Sequence, residues 1–390
     1  MVTRMALLGA LRGGNMQRAH AVAAGLVTGA MLAGAAFAQQ SDGITTPTIL
    51  PPFEPPAAQC TVPPDLTRSI AFAKDNTRQF IEGVGYGLKH AAEDRGLSYT
   101  ESVADNDAGK QAADLDAFVA AKTGAVIAAP VDAFSLAPHL QQMIWAGGYV
   151  GTVVPPPATT ILNANQYLTG QTLAEAAVEY IESDLGGRAN VVLLTHDSLQ
   201  FLAPRFVAMR DAFKDMPGVR IVADISPAVV NEQGGYDMMK LILAANADVD
   251  VVLGADTVVL GALRALRDAG KVRENQFLGG IDGEPEAVAE IKRGDGPYKA
   301  SVALSSPVFG YALGVLAADW LDGKSVPQGL DVLPFALTAG NMAQYEADQA
   351  EPGAVYNNPA RRAAYLRMFG NICYDTRDEY LNFPWSSDGQ

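Results

Sequence analysis

Cysteine and histidine are scarce in this sequence, and their scarcity limits both metal binding and cross-linking. The 390 residues include two cysteines and four histidines. Neither Cys60 nor Cys373 has a histidine or a second cysteine at the spacing of a metal-binding motif, so we expect no metal site and no cofactor. In an oxidising compartment an isolated pair of cysteines usually forms a disulfide, here Cys60–Cys373, and two buried free thiols are the alternative.

Basic residues are also few. The sequence has 28 lysines and arginines against 43 aspartates and glutamates, which gives a formal net charge of −15. A protein that binds nucleic acid needs a basic surface to neutralise the phosphates. The charge balance therefore excludes a nucleic-acid partner.

No apolar run is long enough to span a membrane, which takes about 20 residues. The run over residues 21–37 is shorter, lies in a segment with three arginines and no acidic residue, and ends at the small-residue sequence AFA. These features predict a signal peptide over residues 1–38, cleaved after Ala38. Translation can begin at Met1 or at Met16. Loss of the three arginines lowers the net charge from −15 to −18.

The sequence lacks the motifs of common hydrolases and nucleotide-binding enzymes. The stretch THDS at 195–198 contains the residue types of a hydrolase triad, but no Gly-x-Ser-x-Gly elbow occurs in the chain. The stretch GVGYG at 83–87 lies inside an amphipathic helix, so close helix packing explains its glycines better than a phosphate-binding loop does. We therefore expect no catalytic residues, and a protein that is not an enzyme.

Strands and helices alternate through most of the chain. Residues 39–66 form a proline-rich linker, and from Ser69 onward short apolar runs alternate with segments of helical periodicity. The alternation occurs twice, on either side of the sequence PPPATT. Strands that are apolar throughout belong to parallel sheets covered by helices on both faces. The predicted fold is therefore α/β, with two doubly wound parallel-sheet lobes.

Four polar residues follow predicted strands directly. His196 and Asp197 come after NVVLLT, Asp256 comes after VVLGA, and Asp282 comes after FLGGI. Ligands of doubly wound sheets bind at the carboxyl ends of the strands. We therefore expect these four residues at the edge of the sheet that faces a ligand.

Several stretches, in this order, resemble the periplasmic sugar-binding proteins of the ribose- and galactose-binding type. They are FIEGVGYGLKHAAEDRGLSY, AVIAAPVDAFSLAPHLQQMIWAGGYV, ADTVVLGALRALRDAGK and IDGEPEAVAEIKRG, followed by ASVALSSPVFGYALG. The related regulators of sugar operons carry a DNA-binding helix pair at the amino terminus. This chain has a signal sequence and a proline-rich linker there, so the regulator interpretation fails.

The resemblance implies the type I periplasmic binding protein fold, with two lobes joined by three crossings near Asn165, Leu304 and Thr338. Lobe one is expected to comprise residues 67–165 plus 305–338, and lobe two residues 166–304. Residues 339–390 are then a C-terminal tail that clasps the body and is pinned by Cys373.

The resemblance also implies a function. The expected protein is a periplasmic monomer that closes by hinge bending on a sugar-like ligand and delivers it to an inner-membrane ABC permease. The alternative is the same fold used as a sensor or chemoreceptor partner, or as a carrier of a less hydroxylated, partly apolar ligand.

In lobe two the resemblance implies four kinds of ligand contact. Asp282 matches an aspartate that accepts hydrogen bonds from ligand hydroxyls, and capping of the next helix is its alternative role. Asp256 matches the second residue of an Asn-Asp pair whose first position is Ala255 here, and it too could cap a helix. Arg205 resembles an arginine that reaches ligand oxygens, although a shift of two residues would place Ala203 there. His196 and Asp197 resemble polar residues of the galactose-type members.

In lobe one the family's contacts match the loop after the first strand. Arg78 and Gln79 match polar contacts, and Phe80 matches an aromatic residue that stacks on a sugar ring. Packing in the core is the alternative for Phe80.

Two departures from the family bear on the ligand. The family usually has an aspartate, often followed by arginine, where this chain has Val153, Val154 and Pro155, and an amide where this chain has Leu304 and then Ser305. A ligand hydroxyl left unsatisfied in a closed cleft costs about 1–3 kcal/mol. The departures therefore favour a ligand with fewer hydroxyls than ribose, such as a deoxy sugar, a short polyol or a partly apolar molecule.

Overall fold

The computed structural model describes residues 48–54, 59–153, 157–197, 202–245 and 248–387. The predicted signal peptide and part of the proline-rich linker lie outside these residues. Within the described ranges, no helix has the length and apolar character needed to cross a membrane.

The described residues form thirteen strands and twelve α-helices. The strands are β1 (Ser69–Lys74), β2 (Ser98–Val103), β3 (Ala125–Ala128), β4 (Tyr149–Val153), β5 (Thr160–Ala164), β6 (Ala189–Leu194), β7 (Val219–Ile225), β8 (Val251–Leu253), β9 (Phe277–Ile281), β10 (Tyr298–Ala303), β11 (Gly329–Val332), β12 (Phe335–Thr338) and β13 (Leu366–Phe369). The helices are α1 (Gln79–Arg95), α2 (Ala108–Ala120), α3 (Ala133–Trp145), α4 (Gln166–Asp184), α5 (Ala203–Phe213), α6 (Glu232–Ala245), α7 (Asp256–Asp268), α8 (Pro285–Arg293), α9 (Ser306–Leu321), α10 (Met342–Ala350), α11 (Pro352–Asn357) and α12 (Pro359–Ala363). A 3-10 helix follows at Tyr374–Glu379.

The first sheet has the strand order β13-β11-β5-β4-β3-β1-β2 and is parallel except for β13. Successive residues of β1 point to opposite faces, so Ile70 and Phe72 pack with α1 and α9 while Ala71 and Ala73 pack with α2 and α3. The close contact of α1 with α9 depends on Gly87, where a Cβ would overlap the carbonyl oxygen of Pro307. This confirms that helix packing explains the GVGYG stretch.

The second sheet has the strand order β12-β10-β9-β8-β6-β7 and is parallel except for β12. Helices α4 and α5 cover one face, where Leu173 and Phe206 join the core. Helices α6, α7 and α8 cover the other face. The two doubly wound sheets confirm the predicted α/β class with two lobes, each built on one sheet.

The chain passes between the sheets at three places. It leaves the first sheet after β5, returns after β10 because α9 packs on α1, and leaves again between β11 and β12. The third passage differs from the expected boundary. The family resemblance places residues through Thr338 in lobe one, but Phe335–Thr338 pairs antiparallel with β10 in the second sheet. The passage therefore falls at residues 333–334.

The tail returns to the first sheet. Strand β13 pairs antiparallel with β11 and extends the edge of that sheet, and Trp385 lies 5.4 Å from Phe369 between ring centroids. Cys60 and Cys373 form a disulfide with a Cα separation of 5.9 Å, within the usual range for this bond. Next to it, the backbone N–H of Thr61 donates to Asp375 at 2.7 Å.

Helix α10 of the tail contacts both lobes. The hydroxyl of Tyr86 on α1 donates to the carbonyl of Ala350 at 3.0 Å. At the other lobe, Lys292 on α8 pairs with Glu346. The tail is thus attached to the edge of one sheet and also touches the helices of both lobes.

Candidate functional site

Asp282 lies directly after the fully buried strand β9 and adopts an unusual backbone conformation. Its φ is 119° and the φ of Gly283 is 69°. A positive φ costs an aspartate about 1–3 kcal/mol, and residues that bear such strain cluster at functional sites. The side chain is 48% exposed. The end of β9 therefore holds a strained carboxylate at the surface.

Arg205 provides a cation beside this carboxylate. It lies in the first turn of α5, its side chain is 11% exposed, and its Nη1 is 3.7 Å from Oδ1 of Asp282. Its Nε donates to Oε1 of Gln166, the first residue of α4. Helices α4 and α5 come this close because residue 170 is glycine, where a Cβ would overlap the carbonyl of Arg205. The guanidinium is therefore fixed from two sides.

The surroundings change the acidity of both groups. Burial lowers the pKa of Arg205, and the nearby Asp282 partly opposes that effect. Burial raises the pKa of Asp282 to about 7, against the attraction of Arg205 and together with the repulsion of Asp256 and Glu284. Because nearly half of the Asp282 side chain meets water, solvent screening limits what this shift does to stability.

Asp256 does not contact solvent, and this corrects the direct ligand contact implied by the resemblance. It is fully buried, and its carboxylate accepts from the Tyr298 hydroxyl at 2.7 Å, the Ser301 hydroxyl at 2.7 Å and the Glu284 N–H at 2.8 Å. Burial raises its pKa to about 6, against these three hydrogen bonds. The alternative capping role is also wrong, because Ala255 holds the N-cap position of α7.

Asp197 faces its own lobe. Both of its oxygens bind the guanidinium of Arg210, at 3.2 and 2.5 Å, and Arg210 also binds Asp224 of β7 at 2.6 and 2.9 Å. The hydrogen bonds from Arg210 lower the pKa of Asp197. The role of Asp197 as a ligand contact stays a prediction, because its side chain is 42% exposed and its carboxylate has acceptor capacity beyond the two hydrogen bonds from Arg210. His196 is half-buried beside it, and Ser198 lies outside the described residues.

Lobe one presents polar side chains after β1 and β2. Arg78 is 58% exposed and donates from Nη2 to Asp75 at 2.7 Å. Asn76 donates from Nδ2 to Oδ1 of Asn106 at 3.0 Å, which joins the two loops. Gln79, the first residue of α1, is exposed. These residues give the carboxyl-end edge of the first sheet both donors and acceptors.

Phe80 is half-buried against the core of lobe one. Its ring centroid lies 5.5 Å from that of Phe309 on α9. This contact favours the core alternative for Phe80 over stacking on a ligand ring.

Helix α10 of the tail contacts the passage after β10. Ser305 is buried, and its Oγ accepts from Nε2 of Gln349 on α10 at 2.7 Å. Leu304 packs against the core of lobe one. Of the other departures from the family, Val153 ends β4, while Val154 and Pro155 lie outside the described residues.

Sequence reasoning missed four amide side chains that the structure places at these edges. They are Asn76, Asn106, Gln166 and Gln349. The first three lie two or three residues after the ends of β1, β2 and β5, so a strand-end rule extended to the following loop could have found them. Gln349 had no such signal, because it belongs to the tail, which lies outside the resemblance.

Residues 70–325 match the family model of the periplasmic binding protein domain. The ribose import binding protein of Bacillus subtilis is 26% identical over 263 residues, which cover 63% of this chain and 79% of that protein. The putative rhizopine-binding protein of Rhizobium meliloti is 26% identical over 253 residues, which cover 62% and 80%.

A solved structure also shares the fold. The periplasmic ribose ABC transporter protein from Conexibacter woesei superposes with a TM-score of 0.63 at 20% identity, covering 72% of this chain and 95% of that one. The family match extends over more than half of the chain and includes both lobes. The chain therefore belongs to the family of periplasmic binding proteins of the sugar-binding type, which are solute receptors and not enzymes.

Proposed function

We propose that this protein captures a small hydroxylated molecule between its two lobes, in the periplasm, for delivery to an inner-membrane ABC importer. The observation that carries the proposal is the pair Asp282 and Arg205 at the carboxyl end of the second sheet. A carboxylate accepts from two neighbouring hydroxyls and a guanidinium donates to ring or hydroxyl oxygens, in charge-assisted hydrogen bonds. The pair thus offers both halves of a sugar-binding contact.

Lobe one supplies the opposite side of this proposed site. Arg78, Gln79, Asn76 and Asn106 lie after β1 and β2, where ligands of doubly wound sheets bind. Amides donate and accept, so they can adapt to hydroxyls in either role. Closure of the lobes by bending at the three passages would bring both edges onto the ligand.

We propose a ligand with fewer hydroxyls than a typical sugar. Val153 and Leu304 are apolar where the family carries an aspartate and an amide. Asp256 is buried within lobe two, and part of the acceptor capacity of Asp197 is used by Arg210. A deoxy sugar, a short polyol or a partly apolar sugar derivative fits this set of contacts best.

A thermal-shift panel tests the proposal. It comprises ribose, xylitol, myo-inositol and D-allose, which similar proteins are named for or hold, together with 2-deoxyribose and 5-methylthioribose. A ligand at 100 times its dissociation constant adds about 2.7 kcal/mol of stability, which a melting curve resolves. We expect a shift with at least one compound, larger for a less hydroxylated member. A panel without any shift would contradict the sugar proposal.

Location and closure have separate tests. In protein isolated from a periplasmic fraction, the amino-terminal sequence should begin at Gln39, as cleavage after Ala38 predicts.

Small-angle scattering should show a smaller radius of gyration with saturating ligand than without it. An unchanged radius at saturation would contradict closure.

A further inference from the structure

We propose that Asp256 is a positioning residue for the ligand site: its buried carboxylate fixes the turn of residues 282–284 in the conformation that presents Asp282. The part of this proposal that concerns ligand affinity rests on the proposed function. The part that concerns the turn does not.

The donors to Asp256 come from the two segments that define the turn. Tyr298 and Ser301 lie on β10, and the third donor is the backbone N–H of Glu284. Strand β10 pairs in parallel with β9, the strand that leads into the turn. One carboxylate thus ties the turn to the neighbouring strand.

The remaining backbone donors of the turn are held in the same way. The N–H of Gly283 donates to Oγ of Ser301 at 3.1 Å, and Ser301 in turn donates to Asp256. The N–H of Asp282 donates to the carbonyl of Val302 at 2.9 Å. All three N–H groups from 282 to 284 are therefore bound to Asp256 or to β10, and two of them depend on Asp256 directly or through Ser301.

A second tie joins α7 to the turn. The hydroxyl of Thr257, the residue after Asp256, donates to the side-chain carboxylate of Glu284 at 2.8 Å. The start of α7 therefore holds Glu284 by its backbone and by its side chain.

Strand β9 leaves space for the carboxylate of Asp256 at Gly280. A Cβ at Gly280 would overlap Oδ1 of Asp256 and the hydroxyl of Tyr298. The backbone of β9 can therefore pass over the carboxylate only with glycine at this position.

The consequence is the conformation of Asp282. A positive φ is unfavourable for aspartate, so the turn needs bonds that compensate the strain. Without the acceptor at Asp256, we expect Asp282 to relax toward an extended backbone and its carboxylate to move away from Arg205. Asp256 therefore acts on the ligand through Asp282, without touching the ligand.

The first experiment replaces Asp256 with alanine, which removes both carboxylate oxygens. Asparagine would not test the proposal, because its amide oxygen can take the place of Oδ2, which accepts from both Ser301 and Glu284. In a crystal structure of the unliganded Asp256→Ala variant, we expect the φ of Asp282 to leave the positive region and the Arg205–Asp282 distance to exceed 3.7 Å. Unchanged geometry at 282–284 would overturn the proposal, whether or not any sugar binds. Ser301→Ala is the second variant, with the same expected change, in case Asp256→Ala does not fold.

The second experiment measures affinity by calorimetry, with the panel compound that shifts the wild-type protein most. We expect Asp256→Ala to weaken binding about tenfold, and to have no further effect when Asp282→Asn is already present. An equal tenfold loss in the Asp282→Asn background would show that Asp256 does not act through Asp282. The control is Leu263→Ala, a buried residue of α7 outside the turn, which should lower the melting temperature and leave affinity unchanged.

These outcomes separate the two proposals. If no panel compound binds the wild-type protein, the proposed function fails, while the crystal structure still decides the role of Asp256. If a compound binds and Asp282→Asn weakens its binding, but Asp256→Ala does not, the proposed function stands and the positioning role is wrong.

Discussion

The carboxyl-end edges of the two sheets are supported in different ways. In lobe two, the buried Asp256 binds the N–H of Glu284, in the turn that contains Asp282, and the buried Gln166 binds Arg205. In lobe one, Arg78 and Gln79 are exposed, and the loops are joined by surface amides. From this difference we expect lobe two to keep its edge fixed before the ligand arrives, and the edge of lobe one to adapt as the lobes close. Preorganised contacts lose less entropy on binding, so lobe two should contribute more to affinity.

The tail extends this comparison, because it stabilises the lobe whose edge is the more exposed. Strand β13 lengthens the first sheet, and the disulfide ties the tail to the segment that precedes β1. The tail therefore stabilises lobe one at the β13 edge of its sheet. The exposed polar residues follow β1 and β2, which lie at the opposite edge of that sheet.

The largest effect we expect is on stability, from loss of the disulfide. In the Cys60→Ser/Cys373→Ser variant, the cross-link between residues 313 positions apart is removed, which on a chain-entropy model costs on the order of 5 kcal/mol. The melting temperature should fall and the tail should become sensitive to protease, while ligand affinity stays the same. Mass mapping of the non-reduced wild-type protein is the control. Two alkylatable thiols in freshly isolated protein would contradict the bond itself.

The second effect is on affinity, from Asp282→Asn. The loss of one charge-assisted hydrogen bond should weaken binding by about 1.5–3 kcal/mol, as measured by calorimetry. The fold should remain intact, because asparagine tolerates a positive φ. Asp295→Asn is a matched control, since Asp295 is an exposed aspartate of lobe two that also lies 3.7 Å from an arginine, Arg293. Equal affinities for the two variants would favour a purely local role for Asp282 in the turn.

How far the sequence predicts this molecule differs between its parts. Apolar strands and helical periodicity were enough for the two parallel sheets, and the end of the run FLGGI was enough to place Asp282 at a strand end. Asp256 could not be told apart from Asp282 in this way, because its burial depends on Tyr298 and Ser301, more than 40 positions along the chain, and on the space above Gly280.

The pairing of Asp197 with Arg210 has the same origin. It depends on how α5 lies against the ends of β6 and β7, which the sequence pattern does not specify. The third passage and β13 were missed for another reason. Short strands at sheet edges carry little periodicity, and the tail has no counterpart in the family resemblance.

The third effect we expect is a pH dependence of affinity. Ionised Asp282 accepts charge-assisted hydrogen bonds through both oxygens, whereas the protonated form accepts weaker ones and carries a donor in place of one acceptor. Desolvation by the surrounding protein raises the pKa of Asp282 to about 7. Affinity should therefore rise severalfold as the pH increases from 5.5 to 8, because the ionised fraction grows through that range. Calorimetry across this range provides the measurement. The slope should disappear in Asp282→Asn, and a slope that persists there would assign the titration to another group.

The smallest effect, and the one that tests the adaptable edge of lobe one, is expected from Arg78→Ala. The ion pair of Arg78 with Asp75 is exposed on the arginine side, so its loss should change stability by less than about 1 kcal/mol. Affinity should fall by less than tenfold, since the neighbouring amides of Asn76 and Asn106 can take over part of the contact. Arg68→Ala is the matched control: Arg68 is 50% exposed and also forms a 2.7 Å ion pair, with Asp322, but it precedes β1 and so lies at the opposite end of that strand. Calorimetry of both variants should show a loss for Arg78→Ala only. A loss of affinity as large as that of Asp282→Asn would mean that lobe one contributes as much to binding as lobe two. The expected difference in rigidity between the two edges would then not affect affinity.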